Sequence, residues 1–162
     1  MGGARMNVAG IDYSSRYIDL VLLHLDDQHS PMWFRYELSG ADAFDRTRTV
    51  ADAMPGRASD FWDDILAVGI EHPGGHHGTR DMLRVQGAVL SCIPARMLVH
   101  PLPPGKWRKL VGLPGNASKT DVRLFATYDH RNIVSEGWPN DATDAYCIAL
   151  ATRSLIEQQA AA

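Results

Sequence analysis

Four acidic residues stand where strands or helices are expected to begin or end. Asp12 and Glu71 follow the short apolar runs NVAGI and ILAVGI, and Asp141 and Asp144 lie three residues apart at the start of a helical segment. Ligands bind at the carboxyl ends of strands in open α/β sheets, and residues three apart share one face of a helix. The four carboxylates could therefore form an all-oxygen cluster, which suits Mg²⁺ or Mn²⁺ and suits zinc poorly.

Each of these acids also has an ordinary structural interpretation, which the sequence leaves open. An Asp at the end of a strand commonly forms a turn, and Asp141 and Asp144 could simply cap and charge a helix start. Four acids together are harder to explain in this way, because carboxylates on neighbouring strands repel unless a cation lies between them. Two metal ions about 4 Å apart can stabilise the attacking and leaving oxygens when a phosphodiester is cleaved. The cluster therefore favours phosphodiester chemistry.

A basic segment accompanies the acids in a chain whose formal net charge is −3. Residues 96–123 carry six bases and one acid, and every lysine of the chain lies among them. Such a patch is typical of a face that binds an anion such as phosphate, although a solvated helix surface has the same pattern. The bases of this segment that we take as candidate DNA contacts are Lys106, Arg108, Lys109, Lys119 and Arg123.

A loop rich in glycine and histidine, residues 72–78, follows the fourth apolar run. The spacing of His72, His76 and His77 differs from that of a structural zinc finger, and no cysteine lies near them in the sequence. Glycines flank the His76–His77 pair, which favours a substrate-facing loop over a metal site. The candidate DNA contacts of this region, with those of the helix after it, are His76, His77, Arg80 and Arg84.

The apolar pattern predicts the elements that must position these residues. A hairpin followed by strands alternating with helices indicates an α/β fold with a mixed five-stranded sheet. Pro101 is expected to stop the fifth strand. Strands are predicted at residues 6–12, 17–25, 32–38, 65–70 and 97–100, and helices at 41–54, 79–93, 106–111, 118–128 and 142–158.

Composition limits the class of protein. The 162 residues suffice for one domain, expected at 1–162 with disordered tails at 1–5 and 159–162. Apolar residues make up 45% and charged residues 22%, which is typical of a globular chain. No apolar run approaches the roughly 20 residues that cross a membrane, and the first residues lack the apolar region of a signal peptide. Cys92 and Cys147 are expected to be reduced core residues, so we expect a cytoplasmic protein.

Several segments together resemble one family. GIDYSSR at 10–16, VGIEHP at 68–73 and DATDAYCIA at 141–149 resemble the RuvC-type Holliday junction resolvases of the RNase H-like superfamily. PLPPGKWRKLVGLPGNASKTDV at 101–122 is similar to the stretch that leads into the penultimate helix of RuvC-like proteins. The resemblance extends from about residue 6 to residue 155, with the elements in the family's order. Many arginines and few lysines are typical of a GC-rich source, so we expect a bacteriophage or actinobacterial member.

The resemblance implies an RNase H-like nuclease domain with helices flanking the mixed sheet. It implies a homodimer that resolves four-way DNA junctions by paired symmetric nicks, with two Mg²⁺ ions, replaceable by Mn²⁺, in each active site. The family's catalytic and metal-binding acids fall on Asp12, Glu71, Asp141 and Asp144, and Lys119 then lies close to the scissile phosphate. The sequence does not identify a helicase partner.

One position departs from the family's pattern. Members often carry an aromatic residue three positions beyond the strand-end acid, on a loop that enters the junction centre, and this chain has Gly74 there. His76 or His77 would then supply the stacking surface. Two alternatives stay open. One is a nuclease of broader substrate range that cuts forks, flaps or three-way junctions, and the other is a junction-binding module that no longer cuts. The four acids argue against the second, because a protein that only binds DNA does not need them.

Overall fold

The computed structural model describes residues 7–26, 29–73, 79–128 and 137–162, and within these ranges helices flank a central sheet. The strands are β1 (Asn7–Tyr13), β2 (Tyr17–His24), β3 (Met32–Glu37), β4 (Ile65–Glu71) and β5 (Leu98–Leu102). The helices are α1 (Ala43–Arg48), α2 (Val50–Ala53), α3 (Arg80–Cys92), α4 (Pro104–Leu110), α5 (Lys119–Tyr128) and α6 (Asn140–Ala160), with a 3-10 helix at Asp60–Trp62. None of the helices described is both long and apolar enough to cross a membrane.

The strands form one mixed sheet in the order β3-β2-β1-β4-β5. β1 pairs antiparallel with β2 and parallel with β4, so β1 lies at the centre of the sheet. Ile11 is opposite Ile70 in the parallel pair, and the next residues along these two strands are Asp12 and Glu71. The predicted α/β class with an antiparallel hairpin in a five-stranded sheet is confirmed, and the sheet brings both strand-end acids to one edge.

Alternating residues of β1 face two separate apolar layers. Ala9 and Ile11 pack in a cluster with residues of α2 and α3, such as Val50 and Val85. Val8 packs on the opposite face with residues of α4, α5 and α6. Because side chains alternate along a strand, Asp12 lies on the same face as Val8, which is the face that α6 covers.

Two paired glycines let α6 lie directly on the sheet. Gly10 of β1 is opposite Gly69 of β4, at the centre of the parallel pair. A Cβ atom on Gly10 would overlap the backbone of Ala145 and Ala149, and one on Gly69 would overlap the hydroxyl of Thr152. The backbones of helix and sheet therefore approach without side chains between them. This contact fixes the start of α6 beside the carboxyl end of β1.

Two elements differ from their predicted extents for identifiable reasons. The helix predicted at 41–54 is divided into α1 and α2 at Thr49, whose hydroxyl donates to the carbonyls of Ser39 and Arg46 at 3.2 and 2.8 Å. Such a side chain competes with helical hydrogen bonding. β5 continues through Pro101 to Leu102, because it is an edge strand where proline's missing N–H is tolerated.

The ends of α6 also differ from the prediction. The helix starts at Asn140 and continues to Ala160, so residues 159 and 160, expected in a disordered tail, are helical. Pro139 precedes its first turn, and no side chain caps that turn by a hydrogen bond. Capping is therefore not the role of the acids at this helix start.

Candidate metal centre and active site

Three of the predicted acids converge at the carboxyl edge of the sheet. Asp12, at the end of β1, and Asp144, in the second turn of α6, are 7% and 5% exposed. Asp141, in the first turn, is partly exposed. One oxygen from each of the three carboxylates lies within 4.8 Å of the other two. Spacing along the helix and the close contact of α6 with β1 together produce this arrangement.

Glu71 lies near this group but is held separately. Its Oε2 accepts a hydrogen bond of 3.0 Å from the indole N–H of Trp107, and Glu71 is not part of the 4.8 Å group. Its charge still raises the pKa of both Asp12 and Asp144. The sequence places Glu71 at the correct edge, and α4, which carries Trp107, sets the direction of its carboxylate.

Lys119, the first residue of α5, pairs with the acids. Its ammonium nitrogen lies 3.0 Å from Asp141 Oδ1 and 3.6 Å from Asp144 Oδ2. Burial lowers the pKa of Lys119. The hydrogen bond to Asp141 and the charges of Asp144 and Asp12 raise this pKa by a larger amount, so the net change is upward. A charged lysine therefore stands at the exposed side of the cluster.

One lysine does not neutralise the acids. Burial, followed by the charges of Glu71, Asp144 and Asp141, holds the pKa of Asp12 well above its usual range. Burial is also the main reason why the pKa of Asp144 is raised to about 6, although Lys119 opposes the shift. Burial raises the pKa of Glu71 as well, against the effects of its hydrogen bond to Trp107 and of nearby Arg108.

The side chains of this centre suit a divalent metal ion in both ligand type and charge. The ligand set is made of carboxylate oxygens alone, which Mg²⁺ and Mn²⁺ prefer. Burial and, after it, the mutual repulsion of the acids raise the pKa values of Asp12, Glu71 and Asp144, so their ionised forms are favoured only when further positive charge lies near them. A divalent cation would supply that charge, so the residues present fit such an ion.

Arg108 and Trp107 of α4 belong to the surroundings of this centre. The Arg108 guanidinium carbon lies 5.0 Å from the centroid of the Trp107 ring, and its charge lowers the pKa of Glu71 and Asp144. The sequence predicts Arg108 only as a DNA contact and gives no role to Trp107. The sequence pattern GKWRK could have indicated the role of Trp107. A single aromatic residue inside a basic helix marks the side of that helix that is buried.

The other predicted DNA contacts that the structure describes are exposed side chains on both faces of the sheet. Lys106 and Lys109 are exposed on α4, and Arg123 is exposed on α5 with a 3.3 Å hydrogen bond to Asn140. Arg80 and Arg84 are exposed at the start of α3, which packs on the other face of the sheet. His76 and His77 lie outside the described residues, so their contact with DNA stays a prediction.

Comparison with known proteins gives a fold-level match. No protein-family model matches the sequence, and a search of curated proteins finds no match. A structure of RuvC from Thermus thermophilus is similar over 95% of this chain and 97% of its own, with a TM-score of 0.70 and 19% identity. A structure of T. thermophilus RuvC in complex with a Holliday junction substrate is similar over 94% and 96%, with a TM-score of 0.68 and 18% identity. The expectation of an RNase H-like fold is confirmed, and the chain has the fold of RuvC.

Proposed function

We propose that this protein is a divalent-metal-dependent endonuclease that cuts branched DNA, with the four-way junction as its substrate. The observation that carries the proposal is the convergence of Asp12, Asp141 and Asp144 within 4.8 Å at the edge of the sheet. The similarity to a RuvC structure in complex with a Holliday junction supports the choice of substrate.

In this proposal the acids hold Mg²⁺, with two ions in each site and Mn²⁺ as a substitute. Asp12, Asp141 and Asp144 would be the ligands, joined by Glu71, whose Oε2 accepts a hydrogen bond from Trp107. A bound divalent ion would act as a Lewis acid and stabilise negative charge on the attacking and leaving oxygens. Attack of water on phosphorus, with loss of the bond from phosphorus to the 3′ oxygen, would leave 5′-phosphate and 3′-hydroxyl ends.

Lys119 has the role of neutralising phosphate charge. Its ammonium group lies beside Asp141 and Asp144 and its side chain is more than half exposed, so it can contact a phosphate bound over the acids. Positive charge aimed at the position where negative charge develops lowers the barrier to phosphoryl transfer. Arg108, whose charge reaches Glu71 and Asp144, adds to the same field.

The basic surface around the centre supplies the DNA-binding energy. Lys106 and Lys109 project from α4, and Arg123 projects from α5, on the face of the sheet that α6 covers. Contacts of lysine and arginine with phosphates are independent of base sequence and depend strongly on salt. The negative charge of the remaining chain disfavours DNA elsewhere, so the phosphate backbone is directed towards the acids.

The test is a nicking assay on an immobile four-way junction, with and without Mg²⁺. We expect cleavage that requires the ion, and a loss of about a hundredfold or more in Asp12→Asn, because metal ions stabilise such transition states by several kcal/mol. Junction binding should be kept or tightened, since a negative charge near phosphate is removed. Asp52→Asn, which alters an exposed acid on α2 across the sheet, is the matched control.

The outcomes separate the alternatives. Cleavage by Asp12→Asn at the wild-type rate contradicts the assignment of the acids. Binding without cleavage in Mg²⁺ or Mn²⁺ identifies a junction-binding module. Equal rates on forks, flaps, three-way and four-way substrates identify a broader branched-DNA nuclease, which the glycine at position 74 favours because it offers no ring for stacking on a base.

A further inference from the structure

A second group of metal-binding side chains lies at the other end of β1 from the acids. Among the residues that the structure describes, His24, Asp26 and His29 each offer one ligand atom within 4.8 Å of the other two. His24 ends β2 and is opposite Asn7, the first residue of β1. Asp12 lies five residues further along β1, about 16 Å away at the usual rise of a strand. A ligand at the turn after β2 is therefore separate from the candidate active site.

Both imidazole rings face the same carboxylate oxygen. Asp26 Oδ1 lies 2.5 Å from His24 Nδ1 and 3.1 Å from His29 Nδ1, and the two ring centroids are 4.5 Å apart. Two imidazole nitrogens and one carboxylate oxygen are a ligand set that Zn²⁺, Co²⁺ and Ni²⁺ use in proteins. Mg²⁺ prefers oxygen ligands alone, so the two groups differ in the metals that they select.

The group is both positioned by packing and open to solvent. The His24 side chain is 13% exposed, whereas the side chains of Asp26 and His29 are 45% and 47% exposed. A cavity of about 310 Å³ borders both histidines, and Asp64 and Asn7 also line it. One ligand is thus held before the ion arrives, and the cavity has room for the water molecules that complete the shell of a three-ligand site.

We propose that His24, Asp26 and His29 form a binding site for a divalent ion of the zinc class. Asp26 accepts a hydrogen bond from an imidazole only in the tautomer with the proton on Nδ1, and a neutral ring that binds a metal ion through Nδ1 carries that proton on Nε2 instead. The bound ion links the end of β2 to the segment that leads into β3, so it fastens the turn of the hairpin. This site does not depend on the proposed nuclease function.

The test is a Co²⁺ titration of the full-length protein in excess Mg²⁺, followed by visible absorption. Excess Mg²⁺ competes with Co²⁺ for carboxylate oxygens, which Mg²⁺ prefers as ligands. We expect a Co²⁺ absorption band that saturates and is displaced by Zn²⁺. His29→Gln and His24→Gln should each weaken Co²⁺ binding by at least tenfold, since even an outer-sphere partner is worth roughly 10–100-fold. His100→Gln, which removes a histidine from β5, is the matched control and should bind Co²⁺ as the wild type does.

Thermal melting gives a second readout. Zn²⁺ should raise the melting temperature of the wild type and of His100→Gln by similar amounts and raise that of His29→Gln less. His29 is half exposed, so its substitution is expected to keep the fold, and melting in the presence of a chelator checks this. Identical Co²⁺ titrations for the wild type and His29→Gln overturn the proposal. The absence of both the absorption band and the Zn²⁺ shift in the wild type also overturns it.

Discussion

Asp144 links the candidate metal centre to the pH dependence of stability. Burial raises its pKa from 3.8 to about 6, so the folded state holds the proton more tightly than the unfolded chain. Stability without metal should therefore fall as pH rises from about 4 to about 6, by roughly 3 kcal/mol from this group. We expect metal-free Asp144→Asn to be more stable than the wild type at pH 8, in urea unfolding with a chelator present.

At pH 4 this advantage should largely disappear, because Asp144 is then protonated in the folded state and partly protonated in the unfolded chain. Mg²⁺ at pH 8 should stabilise the wild type more than Asp144→Asn, because the variant has lost a charged ligand. Asp52→Asn controls for the general effect of removing an acid. If Asp144→Asn is no more stable than the wild type at pH 8, the buried charge of Asp144 does not destabilise the folded protein.

Trp107 offers a test of the hydrogen bond that orients Glu71. Trp107→Phe keeps a buried ring but removes the N–H that donates to Glu71 Oε2. Loss of an outer-sphere partner of this kind typically lowers metal affinity by about 10–100-fold. We expect Mn²⁺ binding, measured by calorimetry, to weaken, and the Mg²⁺ concentration for half-maximal cleavage to rise, while excess metal restores the rate.

Trp62→Phe is the matched control for this prediction. The indole N–H of Trp62 is also buried and donates to the carbonyls of Pro55 and Gly56, on the other face of the sheet. Both variants should lose a comparable amount of stability, and only Trp107→Phe should change metal affinity. If both variants change metal affinity equally, the weaker binding results from general destabilisation of the core and not from the lost hydrogen bond to Glu71.

The acids could be predicted from the sequence, and the Trp107 contact could not. Asp12 and Glu71 end apolar runs, and strand ends of parallel neighbours meet at one edge whatever else the chain does. The hydrogen bond from Trp107 joins residues 36 positions apart and depends on how α4 packs. Local periodicity contains no information about such a contact.

Among the elements, the strands were predicted most closely. Their apolar runs are short and bounded by polar residues, so the predicted ends differ from the observed ones by at most two residues. The interruption at Thr49 and the passage of β5 through Pro101 were missed. Both depend on the surroundings of the residue. Thr49 finds a carbonyl that accepts its hydrogen bond, and Pro101 lies on the edge strand of the sheet.

The contact between α6 and the sheet can be tested at Gly10. In Gly10→Ala the new Cβ would overlap the backbone of Ala145 and Ala149, which cannot move as a side chain does. We expect a loss of about 1–3 kcal/mol or more in unfolding free energy, as for other overpacked cores. Cleavage should fall further than stability requires, because displacement of α6 separates Asp141 and Asp144 from Asp12.

Gly87→Ala is the control for that substitution. Gly87 lies inside α3, and a Cβ there meets nothing within 4 Å. The change should stabilise the protein by about 0.5–1 kcal/mol, since alanine favours helix, and leave cleavage unaltered. If Gly10→Ala folds and cuts as well as Gly87→Ala, the close approach of helix and sheet does not position the acids.

α4 can be tested as a phosphate-binding element. Lys106→Ala with Lys109→Ala should weaken binding of all branched DNAs similarly, and the slope of log affinity against log salt should drop by about 2. Arg48→Ala with Arg57→Ala removes two exposed bases elsewhere and is the matched control. An unchanged salt slope in the lysine variant would identify α4 as a solvated surface only.

For the whole molecule, we expect the proposed resolution of junctions to require the assembly of two chains. The residues described contain one group of metal-binding side chains made of carboxylates alone, whereas resolving a four-way junction takes two cuts. A symmetric dimer supplies two centres related by the two-fold axis of the junction. We expect mixtures of wild type with Asp12→Asn to form heterodimers that nick one strand.

The ratio of doubly cut to singly nicked junctions shows whether two chains act together. As the fraction of wild-type chains falls at constant total protein, doubly cut junctions should decline roughly as its square, and singly nicked junctions should accumulate. Asp52→Asn in place of Asp12→Asn should leave the ratio of products unchanged. A linear decline of doubly cut junctions would indicate that each chain works alone and makes its two cuts in succession.

In the proposed nuclease, the direct contact of α6 with Gly10 and Gly69 would also make cutting conditional on complete folding. A molecule whose α6 has detached keeps Asp12 on β1 but has lost the neighbourhood of Asp141 and Asp144, so no carboxylate cluster remains. Such a molecule would have no means of breaking a DNA strand. In the proposed nuclease, the glycine pair is therefore a safeguard against stray damage by damaged or unfinished copies of the protein.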